Sequence, residues 1–296
     1  MLPLPPKPSQ TGTRLWRVDE TGAEPRPDQL AVEEPLEIRL FWRGERRTVA
    51  VTMRTPGSDP ELALGFLFAE GILQSRDHLR RVGPCLEEDA SCANIVEVEL
   101  DGGPEPSWKT LERHFFATSA CGVCGKAGLE SLSLRGIEPP PDGPRLDPEV
   151  LRALPEALRQ GQGVFAATGG LHAAGLFDPA GRLLALREDV GRHNALDKLL
   201  GWAFLEGKLP LHDGVVLVSG RSSYEILQKC LAAGVPVVCA VSAPSSLAVE
   251  LAERFGITLV GFLRGDRFNV YTAPGRIAGL PGPADRGARR ILPISL

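Results

Sequence analysis

The sequence predicts an α/β fold, with a mostly parallel sheet in its second half and an N-terminal β-hairpin/α+β portion before it. Three observations predict this. Val215–Val218 and Val235–Val241 are continuous apolar runs, as strands buried on both faces require. Each leads through a serine-rich turn into an amphipathic helix that stops at a glycine, and strand–helix–strand order at this spacing implies right-handed crossovers between parallel strands. Ahead of them, Glu138–Pro148 (EPPPDGPRLDP) can continue neither helix nor sheet and marks the best internal boundary.

Taken in order, residues 1–30 mix proline, glycine and charge without periodicity, which predicts a disordered or loosely docked tail. From Pro35, the alternation of Leu36, Ile38, Leu40 and Trp42, then of Val49, Val51 and Met53 after Arg43-Gly44-Glu45-Arg46, predicts a β-hairpin. Ser58-Asp59-Pro60-Glu61 has the form of a capping box, and Gly71 is placed to end the helix that follows. Val96, Val98 and Leu100 alternate as a half-exposed strand. Past the boundary, Leu171–Phe177 and Leu183–Arg187 flank the turn Asp178-Pro179-Ala180-Gly181. Leu196, Leu199, Leu200, Ala203 and Phe204 share one helical face, ended by Gly207. Ser222 and Glu225 suit a second capping box, in a helix that stops at Gly234. The next helix ends at Gly256, and strands Ile257–Leu263 and Phe268–Thr272 close the pattern. The organisation expected is a tail (1–30), an N-terminal α+β portion (31–137), a C-terminal α/β portion (149–280) and a second tail (281–296).

Composition excludes several classes. With 296 residues and 43% hydrophobic content, the chain supports a sizeable soluble core. A net charge of −4 leaves no basic footprint for nucleic acid or an anionic membrane. No apolar run approaches the roughly 20 residues that span a bilayer. The proline-rich start, MLPLPPKPSQTG, does not suit a secretory signal. The reading is a cytoplasmic protein whose six cysteines (85, 92, 121, 124, 230 and 239) are reduced. Cys230, on an apolar helix stripe, and Cys239, inside a buried strand, read as small core residues.

Ligands of parallel α/β sheets bind where strands end and helices begin. Ser219-Gly220-Arg221-Ser222-Ser223 and Ser242-Ala243-Pro244-Ser245-Ser246 occupy such ends, and their hydroxyls and backbone N–H groups suit phosphate. Arg221, Arg264 and Arg267 could add bidentate contacts to a phosphate or a guanine edge. Helix capping needs the same residues, so pattern alone favours caps and solvated arginines. Neither G-x-x-x-x-G-K-[ST] nor G-x-G-x-x-G after a strand is present, which points to a nucleotide recognised rather than used as phosphoryl donor.

Cys121-Gly122-Val123-Cys124-Gly125-Lys126 sets two thiols on a glycine-rich turn with a cation behind them. Zinc would need a second ligand pair; Cys85 and Cys92 have six residues between them, wider than usual, and nothing recommends the spacing of His114 or His172. A zinc deaminase needs H-x-E before P-C-x-x-C, but none of the five histidines (78, 114, 172, 193, 212) has Glu two residues on, and Ala120 precedes Cys121. A thioredoxin-like pair needs a βαβ order that does not surround this turn. Sulfur carriage asks only for a nucleophilic thiolate on a reachable loop with a cation nearby. In Arg187-Glu188-Asp189-Val190-Gly191-Arg192-His193-Asn194 the density of polar groups before a helix reads as a structural network ahead of a site, and His172 follows a glycine-kinked strand entry.

The motifs EPLEIRL, TPGSDPELALGFLFAEGIL, TSACGVCGK, TGGLHAAGLF, REDVGRHNALDKLLG, VSGRSSYEILQKC, AVSAPSSLAVELA and LVGFLRGDRFNVYT follow one another from Glu34 to Thr272. In this order they resemble the FdhD family, the formate dehydrogenase accessory sulfurtransferases. The resemblance implies a cytidine deaminase-like three-layer α/β/α core without the zinc chemistry, and a homodimer. It implies a sulfurtransferase that takes sulfur from a cysteine desulfurase as a persulfide on Cys121, with Cys124 in support. The sulfur would pass to the molybdenum cofactor, in its bis-guanine-dinucleotide form, before insertion into formate dehydrogenase. The guanine nucleotide end, which GDP would mimic, would lie at Gly261, Phe262, Leu263, Arg264, Gly265, Asp266 and Arg267, with Ser219, Arg221 and Ser242 nearby. A cofactor-binding chaperone that performs no transfer, or a zinc or redox C-x-x-C protein, is the alternative.

Overall fold

A computed structural model describes residues 7–85, 90–106 and 137–282. In place of the tail expected at 1–30, β1 (Gln10–Asp19) and β2 (Gly22–Ala31) form an antiparallel hairpin. Asp19 makes its tight turn by accepting hydrogen bonds from the Thr21 N–H (2.8 Å) and hydroxyl (2.5 Å). Pro25 and Pro27 hide this from sequence patterning, yet a strand whose far edge is free tolerates proline. Most of the hairpin is exposed, and it touches the body near Gly170, where Ala31 Cβ comes close.

β3 (Glu34–Trp42), β4 (Glu45–Arg54), β5 (Leu79–Pro84) and β6 (Ile95–Leu100) make a four-stranded sheet in the order β4-β3-β6-β5. The predicted β3–β4 hairpin is present, and its two-residue turn gives Arg43 φ 47 and Gly44 φ 85, the paired positive values of a type I′ turn. Its alternation fails after Val49. A register shift at Ile38/Arg39 turns Ala50 inward and leaves Val51 and Met53 in solvent. β6 is no half-exposed strand: it lies between β3 and β5, so even Glu97 is buried, answered by Arg81 at 2.8 Å and Arg46 at 3.2 Å. α1 (Asp59–Ala69) covers this sheet through Leu62 and Leu67, against Leu36, Ile38, Leu40 and Val98. The Ser58 capping box does not close. Ser58 adopts a left-handed conformation with no side-chain cap, Asp59 pairs with Arg54 and Glu61 reaches Arg187, 126 residues away.

α2 (Pro148–Gly161), α3 (Gly163–Thr168), β7 (His172–Phe177), β8 (Leu183–Asp189), α4 (Arg192–Leu205), β9 (Val215–Val218), α5 (Tyr224–Ala232), β10 (Val237–Ala240), α6 (Ser246–Arg254), β11 (Thr258–Arg264) and β12 (Arg267–Val270) build the second half. Their six-stranded sheet has the order β12-β11-β10-β9-β7-β8. It is mixed rather than mostly parallel: β9, β10 and β11 are parallel, and β7, β8 and β12 join antiparallel. The turns β7–β8 and β11–β12 are too short for anything but antiparallel neighbours. Three layers result. Val216, Val218, Val238 and Leu259 face α4, α5 and α6, while Val215, Leu217, Val237 and Val260 face α2. The stops at Gly207, Gly234 and Gly256 all carry positive φ (64, 72 and 67). The second capping box is also absent, since Ser223 rather than Ser222 is the N-cap of α5 and makes no cap bond.

The two portions drawn at the proline-rich boundary share one seam. α1 crosses α4 where Gly65 and Gly201 meet, and a Cβ on either would lie 1.8 Å from a carbonyl oxygen of the other helix. Behind it Lys198 Nζ lies 2.7 Å from Asp189, both buried, and donates to the Thr55 carbonyl at 2.8 Å. Among the described residues no helix is long and apolar enough to cross a membrane.

Candidate functional site

The parallel strands β9, β10 and β11 end at one edge, and the loops that leave them are tied together. Ser245 N donates to Ser222 O (2.9 Å), Val241 N to Val218 O (3.2 Å) and Phe262 N to Ser242 O (3.1 Å). Ser219, Ser242, Gly261 and Phe262 are thereby gathered, as the sequence predicts for ligand-binding loops. Ser219 is partly engaged, since its N–H donates to Ala173 O and its Oγ accepts from Ala173 N, both at 2.9 Å. Arg221 is exposed and has no ion pair among the described residues. Ser222 is completely buried, with no hydrogen-bond partner for its hydroxyl among the described residues.

The Gly261–Arg267 segment divides. At Gly261 a Cβ would lie 3.0 Å from Pro244 Cδ and Tyr271 Cε2, so any larger residue would require those side chains to give way. Phe262 takes φ 53 at a β-bulge, a left-handed conformation that bulky residues rarely adopt and that functional sites often hold. Leu263 is core, packed on the α2 side, so only its backbone is open to a ligand. Arg264, Gly265, Asp266 and Arg267 form the exposed tip of the β11–β12 hairpin. The tip reaches beyond the ends of β9 and β10 and leans on α2, where Arg152 Nε donates to Asp266 O (3.1 Å). Arg264 lies over the Phe262 ring at 5.8 Å.

The polar segment before α4 separates into two roles. Asp189 is structural: besides Lys198 it accepts from Thr55 N (3.1 Å), Gly191 N (2.8 Å) and Asn194 Nδ2 (3.1 Å). Arg192 and His193 instead face the same edge as Ser219, and so does His172. Periodicity could not separate them, because the separation depends on β8 returning alongside β7. His193 Nε2 lies 3.2 Å from Ser223 Oγ and 3.9 Å from Glu225. Burial, and next the Arg192 charge, push His193 down to about 4 and lower His172 as well.

Cys121 and Cys124 lie outside the described residues. Of the described cysteines, Cys230 and Cys239 are fully buried, as the sequence predicts, and burial pushes the Cys230 thiol up to about 12. Cys92 is buried and Cys85 half-buried.

Comparison with known proteins gives a consistent result. A sequence model of the FdhD/NarQ family matches residues 31–278. The chain is 52% identical over 259 residues to the sulfur carrier protein FdhD of Mycobacterium tuberculosis, covering 85% of this chain and 92% of that one. It is 50% identical over 270 residues to the Streptomyces avermitilis protein of the same name (90% and 94% covered) and 43% over 263 residues to that of Saccharolobus solfataricus (89% and 96%). A crystal structure described as a formate dehydrogenase accessory protein, from Desulfotalea psychrophila, superposes with TM-score 0.71 at 27% identity, covering 91% of this chain and all of that one.

Proposed function

The chain belongs to the FdhD/NarQ family, and from that premise we propose that it is a sulfur carrier in formate dehydrogenase maturation, with Cys121 the carrying thiol. The observation that carries this reading is the Cys121–Lys126 segment, which lies inside the span matched by the family. Relatives about half identical bear the name sulfur carrier. Cys230 and Cys239 are not competing candidates, because both are sealed in the core as thiols that no donor protein can reach.

The donor is a cysteine desulfurase. The Cys121 thiolate attacks the outer sulfur of the donor's persulfide, the donor's S–S bond breaks, and the donor leaves as a thiolate. Cys121 then holds one sulfane sulfur. At delivery the Cys124 thiolate attacks Cys121 Sγ, a Cys121–Cys124 disulfide forms, and hydrosulfide departs to the acceptor; a dithiol reductant resets the pair. The acceptor substrate is the molybdenum cofactor in its bis-guanine-dinucleotide form, before insertion into formate dehydrogenase. Its guanine nucleotide ends would bind at Ser219, Arg221, Ser242 and the Gly261–Arg267 turn, and the protein would work as a cytoplasmic homodimer. The test is mass spectrometry after incubation with a desulfurase and cysteine. Wild type should gain the mass of one sulfur atom on the Cys121 peptide and activate formate dehydrogenase; Cys121→Ala should do neither. Equal sulfur uptake and activation by Cys121→Ala would refute the assignment.

A further inference from the structure

Four residues at the carboxyl edge are given no role in the sulfur-carrying steps proposed above: His172 at the start of β7, Arg192 and His193 at the start of α4, and Gly220 in the β9–α5 loop. Sheet order brings them together. β7 runs antiparallel to β9, with Ala174 opposite Val218, so its first residue stands beside the loop in which β9 ends. β8 returns along β7 with Asp189 opposite His172, and α4 begins three residues later. A Cβ on Gly220 would lie 3.5 Å from both Arg192 Cδ and His172 Nδ1.

The Arg192 charge at this junction has no ion-pair partner among the described residues. Arg192 Nε is shielded from solvent and has no hydrogen-bond partner among the described residues. No carboxylate lies within ion-pair distance of the guanidinium among the described residues, although the same fold supplies Arg54 with Asp59 and Arg187 with Glu61. Asp189 is already committed to Lys198 and its three N–H donors. Glu225, half in water, lies 3.9 Å from His193 Nε2 and feels the Arg192 charge without forming an ion pair with it. A shielded guanidinium N–H without an acceptor is costly to leave so, because a buried donor to a charged partner loses its full hydration. Burial keeps both imidazoles neutral, so each has an N–H to donate. The positive end of α4, a 14-residue helix, adds the same sign. A fixed cation, two imidazole donors and a glycine that leaves the space between them open make a cradle suited to an anion.

We propose that Arg192, His172 and His193 bind a phosphate-class oxyanion beside Gly220. The oxyanion has two possible sources, free phosphate or diphosphate and the diphosphate of a bound guanine nucleotide. Assigning it to the nucleotide rests on the acceptor reading above; oxyanion binding itself does not.

Calorimetric titration of the full chain with inorganic pyrophosphate, GDP and guanosine separates the cases. Wild type should bind GDP at least tenfold more tightly than guanosine, and Arg192→Gln should remove that difference. Gly220→Ala, whose methyl fits at ordinary contact distance but fills the cradle, should weaken GDP and pyrophosphate alike. Pyrophosphate should raise the His193 titration midpoint seen by NMR. Pyrophosphate binding as tight as GDP would keep the site and assign it to the free anion. Equal binding of GDP and pyrophosphate by wild type and both variants, or a His193 midpoint that ignores the ligands, would overturn the proposal. Arg192→Gln should still take up sulfur on Cys121, so loss of uptake by Cys121→Ala and loss of anion binding by Arg192→Gln remain separate results.

Discussion

Replacing Lys198 with methionine removes one half of the ion pair behind the helix seam and leaves the shape almost unchanged. Lys198 Nζ uses all three of its protons, on Asp189 (2.7 Å), Thr55 O (2.8 Å) and Glu188 O (3.3 Å). Asp189 is 0% exposed and would be left without the cation that answers it. Breaking a buried pair from one side typically costs ~3–5 kcal/mol, a factor of roughly a hundred to several thousand in the folding equilibrium. The methionine recovers no new burial, since the lysine stem is already covered. Urea unfolding, read at constant slope, measures the loss. The double variant Lys198→Met/Asp189→Asn orphans no charge and should recover much of it. A loss under about 1 kcal/mol in the single variant, well below the buried-pair range, would refute this account of the pair. So would a double variant less stable than the sum of the two single changes.

Gly201→Ala places a methyl 1.8 Å from Glu61 O, which forces α1 and α4 apart and should cost about 3 kcal/mol or more, visible as a lowered Tm. Gly65→Ala, facing Asp197 O, should behave alike. His193 should stay neutral down to a pH of about 4 in an NMR titration, and a midpoint at the ordinary histidine value would contradict its burial. The sign for stability follows: between the ordinary midpoint and pH about 4 the unfolded chain takes up a proton that the native His193 refuses, so wild type should lose stability relative to His193→Gln as pH falls through that window. Native Cys230 and Cys239 should resist iodoacetamide at neutral pH and react once the chain is unfolded; rapid labelling in the native state would show that the core opens.

Much of the second half was legible because its signals are local. Val215–Val218 is a strand at the residues its apolar run marks, and the glycines that end three helices do so by their own conformation. What stayed hidden depends on partners far along the chain. Glu61 looks like a capping residue until Arg187 arrives from β8. Asp189 and Arg192 look alike in a charged run, yet one is sealed against Lys198 and the other faces the strand ends. The N-terminal hairpin was masked by Pro25 and Pro27, which read as breakers where the strand edge is in fact free. Val51 and Met53 follow the right alternation but the wrong face, because an extra residue on β4, Val49 opposite the Ile38–Arg39 step of β3, resets the count.

Gly65 and Gly201 also bear on how this chain could be cut or rebuilt. The prolines at 139–141 look like the natural place to divide it, but the backbone-to-backbone approach at Gly65 and Gly201 joins residues from both sides of that point. A fragment made at the linker would expose a helix whose complement exists only on the other piece, including the Phe204 ring that meets Phe68. Gene fusions, circular permutants and chimaeras with relatives should therefore carry α1 and α4 together as an inherited pair.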